Sequence, residues 1–314
     1  MPKMKNRVAI VLLSSLLGFG MVGCNDSSSS STTTTTSTDT STVVTTRTWT
    51  DVAYASTSAS QKMDIYLPST GSGPFPTVIW IHGGAFKFGD KARPQSLTAL
   101  NTAGYAVVSV NYRLSGEAQW PAQLDDLKSI VTYLRTNAST YALDKTKFAA
   151  WGASAGGHLA SMMGIALADN ADTRIQAVVD WFGPMDFYYM DEDMVASGVT
   201  RCTGANGDAS SPESVLIGAT VSANKTLSDA ASPLSYLAQL PASTTVPPFF
   251  IMHGLMDCNI APKQSERLHT ALQAKWGASA STYNTLANAG HGTGDFKETY
   301  VETMVIDFLN AQLK

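Results

Sequence analysis

The sequence predicts an α/β fold: a mostly parallel central sheet with helices on both faces and a small cap inserted late in the chain. Apolar runs of strand length alternate with segments of helical period, which is the order that builds parallel sheets through crossover connections. Several of those runs are continuous rather than alternating, as strands buried on both faces must be. Residues 48–314 suffice for one large domain rather than two.

Before that domain, Lys3, Lys5 and Arg7 precede an apolar stretch over residues 8–22 that closes with Gly23 and Cys24. This reads as a secretory signal over residues 1–23, too short to span a membrane. Its ending resembles a bacterial lipobox, with Met21 where leucine is usual. That resemblance implies cleavage before Cys24 and lipid on its thiol, hence an exported protein held to a membrane at the periplasm or cell surface. A plain signal peptide cut nearby is the alternative. Residues 24–47, almost entirely Ser and Thr from Asp26 to Thr46, are too polar to offset their ordering entropy and read as a disordered tether.

The whole chain carries 21 Lys and Arg against 25 Asp and Glu. Loss of the three basic residues of the signal leaves 18 against 25, a net charge of −7. A mildly acidic surface without a Lys or Arg cluster argues against a nucleic-acid partner. With Cys24 lipidated, Cys202 and Cys258 remain as an even pair in an oxidising compartment, which suggests a disulfide bracing the loop around residue 258. Two buried free thiols are the other reading.

Residues 62–67 alternate polar and apolar like an edge strand, whereas residues 77–81 and 106–110 are continuous enough for buried parallel strands. Leu124, Leu127, Ile130, Val131 and Leu134 recur at steps of three and four, a helix with one buried face between residues 121 and 137. Strands follow at residues 148–151, 175–181 and 248–252, and helices at 264–275 and about 297–313. Residues 184–246 show no strand pattern, only short helical pieces and turns, and read as the cap.

The chemistry centres on Gly152-Ala153-Ser154-Ala155-Gly156, which follows an apolar strand and leads into a helix. Strand, tight turn and helix in that order form a nucleophile elbow, and small residues are needed where the turn brings backbones together. The pentapeptide alone is weak, since it occurs by chance in glycine-rich turns. A serine hydroxyl needs a base to take its proton and donors to hold the oxyanion that forms. His82-Gly83-Gly84-Ala85-Phe86 ends a buried strand, and the amides of Gly83, Gly84 and Ala155 would supply those donors. Of five histidines, His291 alone sits in a late glycine-rich loop just before the last helix, free to swing toward Ser154. His82 reads as structural. Asp257 follows an apolar strand and is the favoured acid, with Asp186 as rival, better suited to capping or loop bonding.

From residue 51 to the C-terminus, about five-sixths of the chain, these residues together resemble an α/β-hydrolase serine esterase. The likeness is to the bacterial feruloyl-esterase-like group, allied to the hormone-sensitive-lipase-like carboxylesterases. It rests on His82-Gly83-Gly84, on Gly152 through Gly157, on Trp181-Phe182-Gly183-Pro184, on the Asp257 loop and on His291. The combination in this order is specific though no single part is. Ala85 departs from the third glycine usual in the hormone-sensitive-lipase-like pattern, and its methyl weighs against esters of tertiary alcohols. The resemblance implies acyl esters as substrates, acetyl or feruloyl groups on plant cell-wall sugars among them, and no cofactor.

Ala85, Phe86, Trp181, Phe182 and Leu255 fall where a substrate pocket is expected, although ordinary packing would explain aromatic residues past a strand end equally well. Asp191-Glu192-Asp193 lacks the alternating spacing of a calcium loop and reads as a solvated charge run, so no metal site is expected. Two other functions stay open: a serine peptidase of the same fold, disfavoured by the lack of an extended substrate domain, and a catalytically silent binding domain on the same scaffold.

Overall fold

The computed structural model describes residues 47–92 and 94–314. The signal peptide, Cys24 and the tether up to residue 46 lie outside the described residues.

Among the described residues the strands are β1 (Thr48–Ala53), β2 (Lys62–Tyr66), β3 (Phe75–Ile81), β4 (Ala106–Val110), β5 (Leu143–Ala153), β6 (Ala177–Trp181), β7 (Phe249–Gly254) and β8 (Ser281–Leu286). They form one sheet in the order β1-β2-β4-β3-β5-β6-β7-β8. β2 runs antiparallel to both its neighbours, and every pair from β4 to β8 is parallel. The helices are α1 (Leu97–Thr102), α2 (Ala122–Thr136), α3 (Ala155–Ala166), α4 (Met190–Ser197), α5 (Pro212–Ile217), α6 (Lys225–Ala230), α7 (Pro233–Gln239), α8 (Pro262–Trp276) and α9 (Thr299–Leu313).

The sheet divides its side chains by parity, because successive residues of a strand point to opposite faces. Ile79, Ile81, Ala150, Val178 and Ile251 meet the buried sides of α2, α3 and α8 in one core. Val78, Trp80, Trp151, Val179, Trp181 and Met252 meet Leu100 of α1 and Val301, Val305 and Leu309 of α9 in the other. Helices on both faces explain why the central strands lack polar alternation. Each fully covered Val, Leu or Ile is worth roughly 1.5–3 kcal/mol relative to exposure.

Two expectations need correction here. The segment 62–67 is not the edge: β1 lies outside it, and its apparent polar position, Asp64, is buried against Lys91 Nζ at 2.9 Å and the amide of Asp51 at 2.8 Å. Alternation therefore marked an ion pair covered by the neighbouring strand. Nor is 191–193 a solvated run. Asp193 is buried on α4, where Arg267 Nη2 approaches its Oδ1 to 2.6 Å and Gln264 Nε2 its Oδ2 to 2.6 Å, while Asp191 accepts the amides of Asn206 and Gly207. The segment between β6 and β7 contains no strand; of its helices, α4 packs against α8 and α7 against both α3 and α8, while α6 lies between α5 and α7.

Candidate active site

β5 delivers Ser154 into the turn before α3 with φ 57° and ψ −122°, a region that costs a non-glycine residue roughly 1–3 kcal/mol. Neighbouring bonds hold it there: the Ser154 amide donates to Trp181 O at 2.9 Å and the His158 amide to Ser154 O at 3.0 Å. Crowding explains the flanking glycines. A Cβ on Gly152 would overlap the Gly156 carbonyl, and one on Gly156 would overlap the Ile81 carbonyl.

His291, in the loop between β8 and α9, places Nε2 2.9 Å from Ser154 Oγ and Nδ1 2.7 Å from Asp257 Oδ2. Because a carboxylate only accepts, Nδ1 carries the hydrogen and Nε2 is free to accept from the serine hydroxyl. The imidazole lies against the Phe182 ring at a centroid distance of 4.7 Å. Asp257, in the turn after β7, is fully buried, and its Oδ1 accepts the amides of Asn259 and Ile260 at 2.9 and 3.0 Å. Burial alone would raise the pKa of this carboxyl. Hydrogen bonds from His253 and His291 outweigh it and hold the group well below the usual carboxylate range.

His253 is a partner that the sequence reading passed over. Its Nε2 lies 3.0 Å from Ile260 O and 3.3 Å from Asp257 Oδ2, both acceptors, so it donates there while Nδ1 accepts from Ser265 Oγ at 2.7 Å. The signal was its place near the end of β7, four residues before Asp257 in the turn that follows. Asp186, the rival acid, makes no hydrogen bond to His291; its amide donates to Gln264 Oε1 at 2.7 Å, and its side chain caps nothing. The other histidines have structural partners. His82 stacks on Tyr112 at 4.6 Å with Nδ1 2.7 Å from Gly83 O, His158 bonds Ala231 O at 2.7 Å, and His269 bonds Ser281 Oγ at 2.8 Å.

Ser154 and His291 open onto a cavity of about 540 Å³. Gly83, Gly84 and Ala155 line it beside the serine, and none of their amides donates to a protein acceptor among the described residues. Ala85 and Phe86 turn this loop with φ 53° and 58°. Ala85, Phe86 and Phe182 are on the cavity wall, whereas Trp181 and Leu255 are not. Trp181 ends β6 on the parity that faces the opposite core, where it packs on Trp151 at 4.9 Å and Phe296 at 5.1 Å. Leu255 is held by its amide to Leu286 O, and its side chain is 44% exposed to solvent. Cys202 and Cys258 form a disulfide with Cα atoms 5.3 Å apart, tying the segment beyond α4 to the Asp257 turn. Among the described residues no group of three or more His, Cys, Asp or Glu side chains could hold a metal ion, and no helix is long and apolar enough to cross a membrane.

Asp180, beneath the elbow on β6, is wholly buried; Oδ1 accepts the Gly183 amide at 3.0 Å and Oδ2 has no partner among the described residues. Burial pushes its pKa up to about 7, with the Gly183 bond pulling the other way. An acid with a raised folded pKa binds more protons folded than unfolded between about pH 4 and 7, so its contribution to stability falls as pH rises through that window. Asp180→Asn should therefore gain on the wild type by several °C in melting temperature between pH 5 and pH 8; parallel melting curves against pH would contradict it.

The sequence pattern of the BD-FAE family matches residues 63–272. This chain belongs to the BD-FAE family. The likeness extends to solved structures of esterases. The BD-FAE chain is 32% identical to a truncated form of a carbohydrate esterase from gut microbiota, with a TM-score of 0.72, covering 85% of this chain and 96% of that one. It is 29% identical, again with a TM-score of 0.72, to a bifunctional GH43-CE protein of Bacteroides eggerthii, covering 85% of this chain and 35% of that one. Among curated proteins it is 28% identical to esterase LipQ of Mycobacterium tuberculosis over 83% of its own length. The chain spans 61% of the length of LipQ.

Proposed function

We propose that this BD-FAE chain is a serine carboxylesterase that cleaves acyl esters through an acyl-enzyme. The observation that carries the reading is the unbroken hydrogen-bonded series Ser154, His291, Asp257 opening onto a cavity lined by three unpaired amides. Ser154 Oγ attacks the ester carbonyl as its proton passes to His291 Nε2. The amides of Gly83, Gly84 and Ala155 receive the negative charge that develops on the carbonyl oxygen. Collapse of that intermediate expels the alcohol, which takes the proton from His291. Water then repeats the sequence, releasing the acid and restoring the serine. Asp257 keeps the imidazole in the Nδ1–H tautomer and stabilises the imidazolium.

The name of one similar solved protein, a carbohydrate esterase, favours esters on carbohydrates; the sequence resemblance adds acetyl or feruloyl as the acyl groups, and the N-terminal pattern favours an exported lipoprotein held to a membrane through Cys24. Turnover of p-nitrophenyl acetate together with stoichiometric labelling by a fluorophosphonate is the expected result. A protein inert to both would be a silent binding domain on this scaffold.

A further inference from the structure

The cavity beside Ser154 has a second, polar wall that the ester chemistry leaves unused. It comes from the segment joining α4 to α5, which presents Asn206, Asp208, Ser210 and Ser211, and from the first turn of α5, which presents Glu213. Two of these are set deep, Asn206 at 7% and Glu213 at 4% exposure. A carboxyl group so buried usually has a dedicated partner. Glu213 has little: beyond its own amide, its carboxyl accepts only Asn206 Nδ2, at a long 3.3 Å.

Asn206 is fixed from behind. Asp191 accepts the Asn206 amide at 2.8 Å and the Gly207 amide at 2.7 Å, and it holds Arg201 Nη2 at 2.5 Å. Arg201 in turn binds Asn206 Oδ1. The Cys202–Cys258 bridge links this segment to the turn carrying Asp257. The wall is thus rigidly attached to the reacting groups, which a specificity site requires. With Oδ1 engaged, Asn206 retains one N–H to donate, and Glu213 retains acceptor capacity toward the cavity. Phe88, 64% exposed, contributes an aromatic face to the same cavity from the oxyanion loop.

We propose that Asn206 and Glu213 form a subsite that binds free hydroxyl groups of a sugar whose neighbouring hydroxyl carries the acyl group, with Phe88 flanking the ring. A donor beside an acceptor matches vicinal hydroxyls, each of which both gives and takes a hydrogen bond. A phenol of a feruloyl group has a single hydroxyl and would leave the rest of this wall unused. Rejection of substrates lacking the hydroxyls follows, because binding them would strand buried polar groups without partners.

This inference rests on the esterase reading and is tested separately from it. The readout is the ratio of kcat/KM for mono-acetylated methyl xyloside to that for p-nitrophenyl acetate. In Glu213→Gln the ratio should fall about tenfold or more, mostly through KM. In the wild type, an acetylated xyloside whose other hydroxyls are methylated should be at least about tenfold poorer than the one with free hydroxyls. The wild-type comparison stands even if the variant fails to fold. Unchanged ratios in both experiments would overturn the subsite while leaving the esterase intact. So would a Glu213→Gln loss confined to methyl ferulate measured against methyl cinnamate, which would assign the wall to a phenol. A wild type that turns over neither ester would instead defeat the esterase reading.

Discussion

Ser154→Ala should reduce kcat for p-nitrophenyl acetate by about 10⁵–10⁶-fold and abolish fluorophosphonate labelling, with the melting temperature nearly unchanged. The size follows from the loss of the only group placed to form the covalent intermediate; the oxyanion donors and substrate binding alone leave a residual acceleration of roughly 10³–10⁴ over water. Stability should be spared because alanine keeps the same backbone, whose φ of 57° is held by the amides of Ser154 and His158 rather than by the hydroxyl. Among the described residues the hydroxyl's one hydrogen-bond partner is His291 Nε2. Retained turnover in a folded variant would move the nucleophile elsewhere and end the mechanism. A large drop in melting temperature would show instead that the hydroxyl supports the elbow.

Asp257→Asn should lower kcat by about 10⁴-fold. An amide in place of the carboxylate can offer its N–H to His291, turning the ring to the tautomer with hydrogen on Nε2, where it can no longer accept the serine proton. It also removes the negative charge that stabilises the imidazolium. This variant should lose stability too, because the carboxylate gathers His253, His291 and the amides of Asn259 and Ile260 in a buried turn. Hydrogen bonds to a charged group are worth about 1.5–3 kcal/mol each in net terms, so a visible drop in melting temperature is expected. Asp186→Asn is the comparison: with no hydrogen bond to His291, it should change kcat only a few-fold. Equal losses in the two variants would mean that the acid has been assigned to the wrong loop.

Local chemistry made much of this molecule legible. The central strands were readable because burial on both faces demands continuous apolar runs, and α2, α8 and α9 because one covered face imposes a period of three to four residues. The elbow was readable because steric crowding restricts what can stand beside Ser154. Strands at the margins were not. β8, Ser281–Leu286, has a mixed polar composition and exists as a strand because β7 is beside it to complete the pairing. β1 likewise covers β2, so that Asp64 could be buried with Lys91 while its alternation suggested an edge. Asp193 looked solvated for a related reason: a charge run on α4 gives no hint of Arg267 and Gln264 waiting on α8 more than seventy residues later.

Trp181 and His253 show the same division at the site. Trp181 was expected in the pocket from its place after a strand, yet one step of strand parity sends it into the opposite core and leaves Phe182, held at φ 45°, against His291. His253 is one of the five histidines of the sequence, and the fold makes it a second donor to Asp257. Which residue types could attack, accept a proton and hold a charge is written in short segments, since each needs only its own neighbours to be recognisable. Where those side chains point, and the polar wall around Glu213, depend on segments distant along the chain being brought within 3 Å or so by packing, and no local pattern carries that distance.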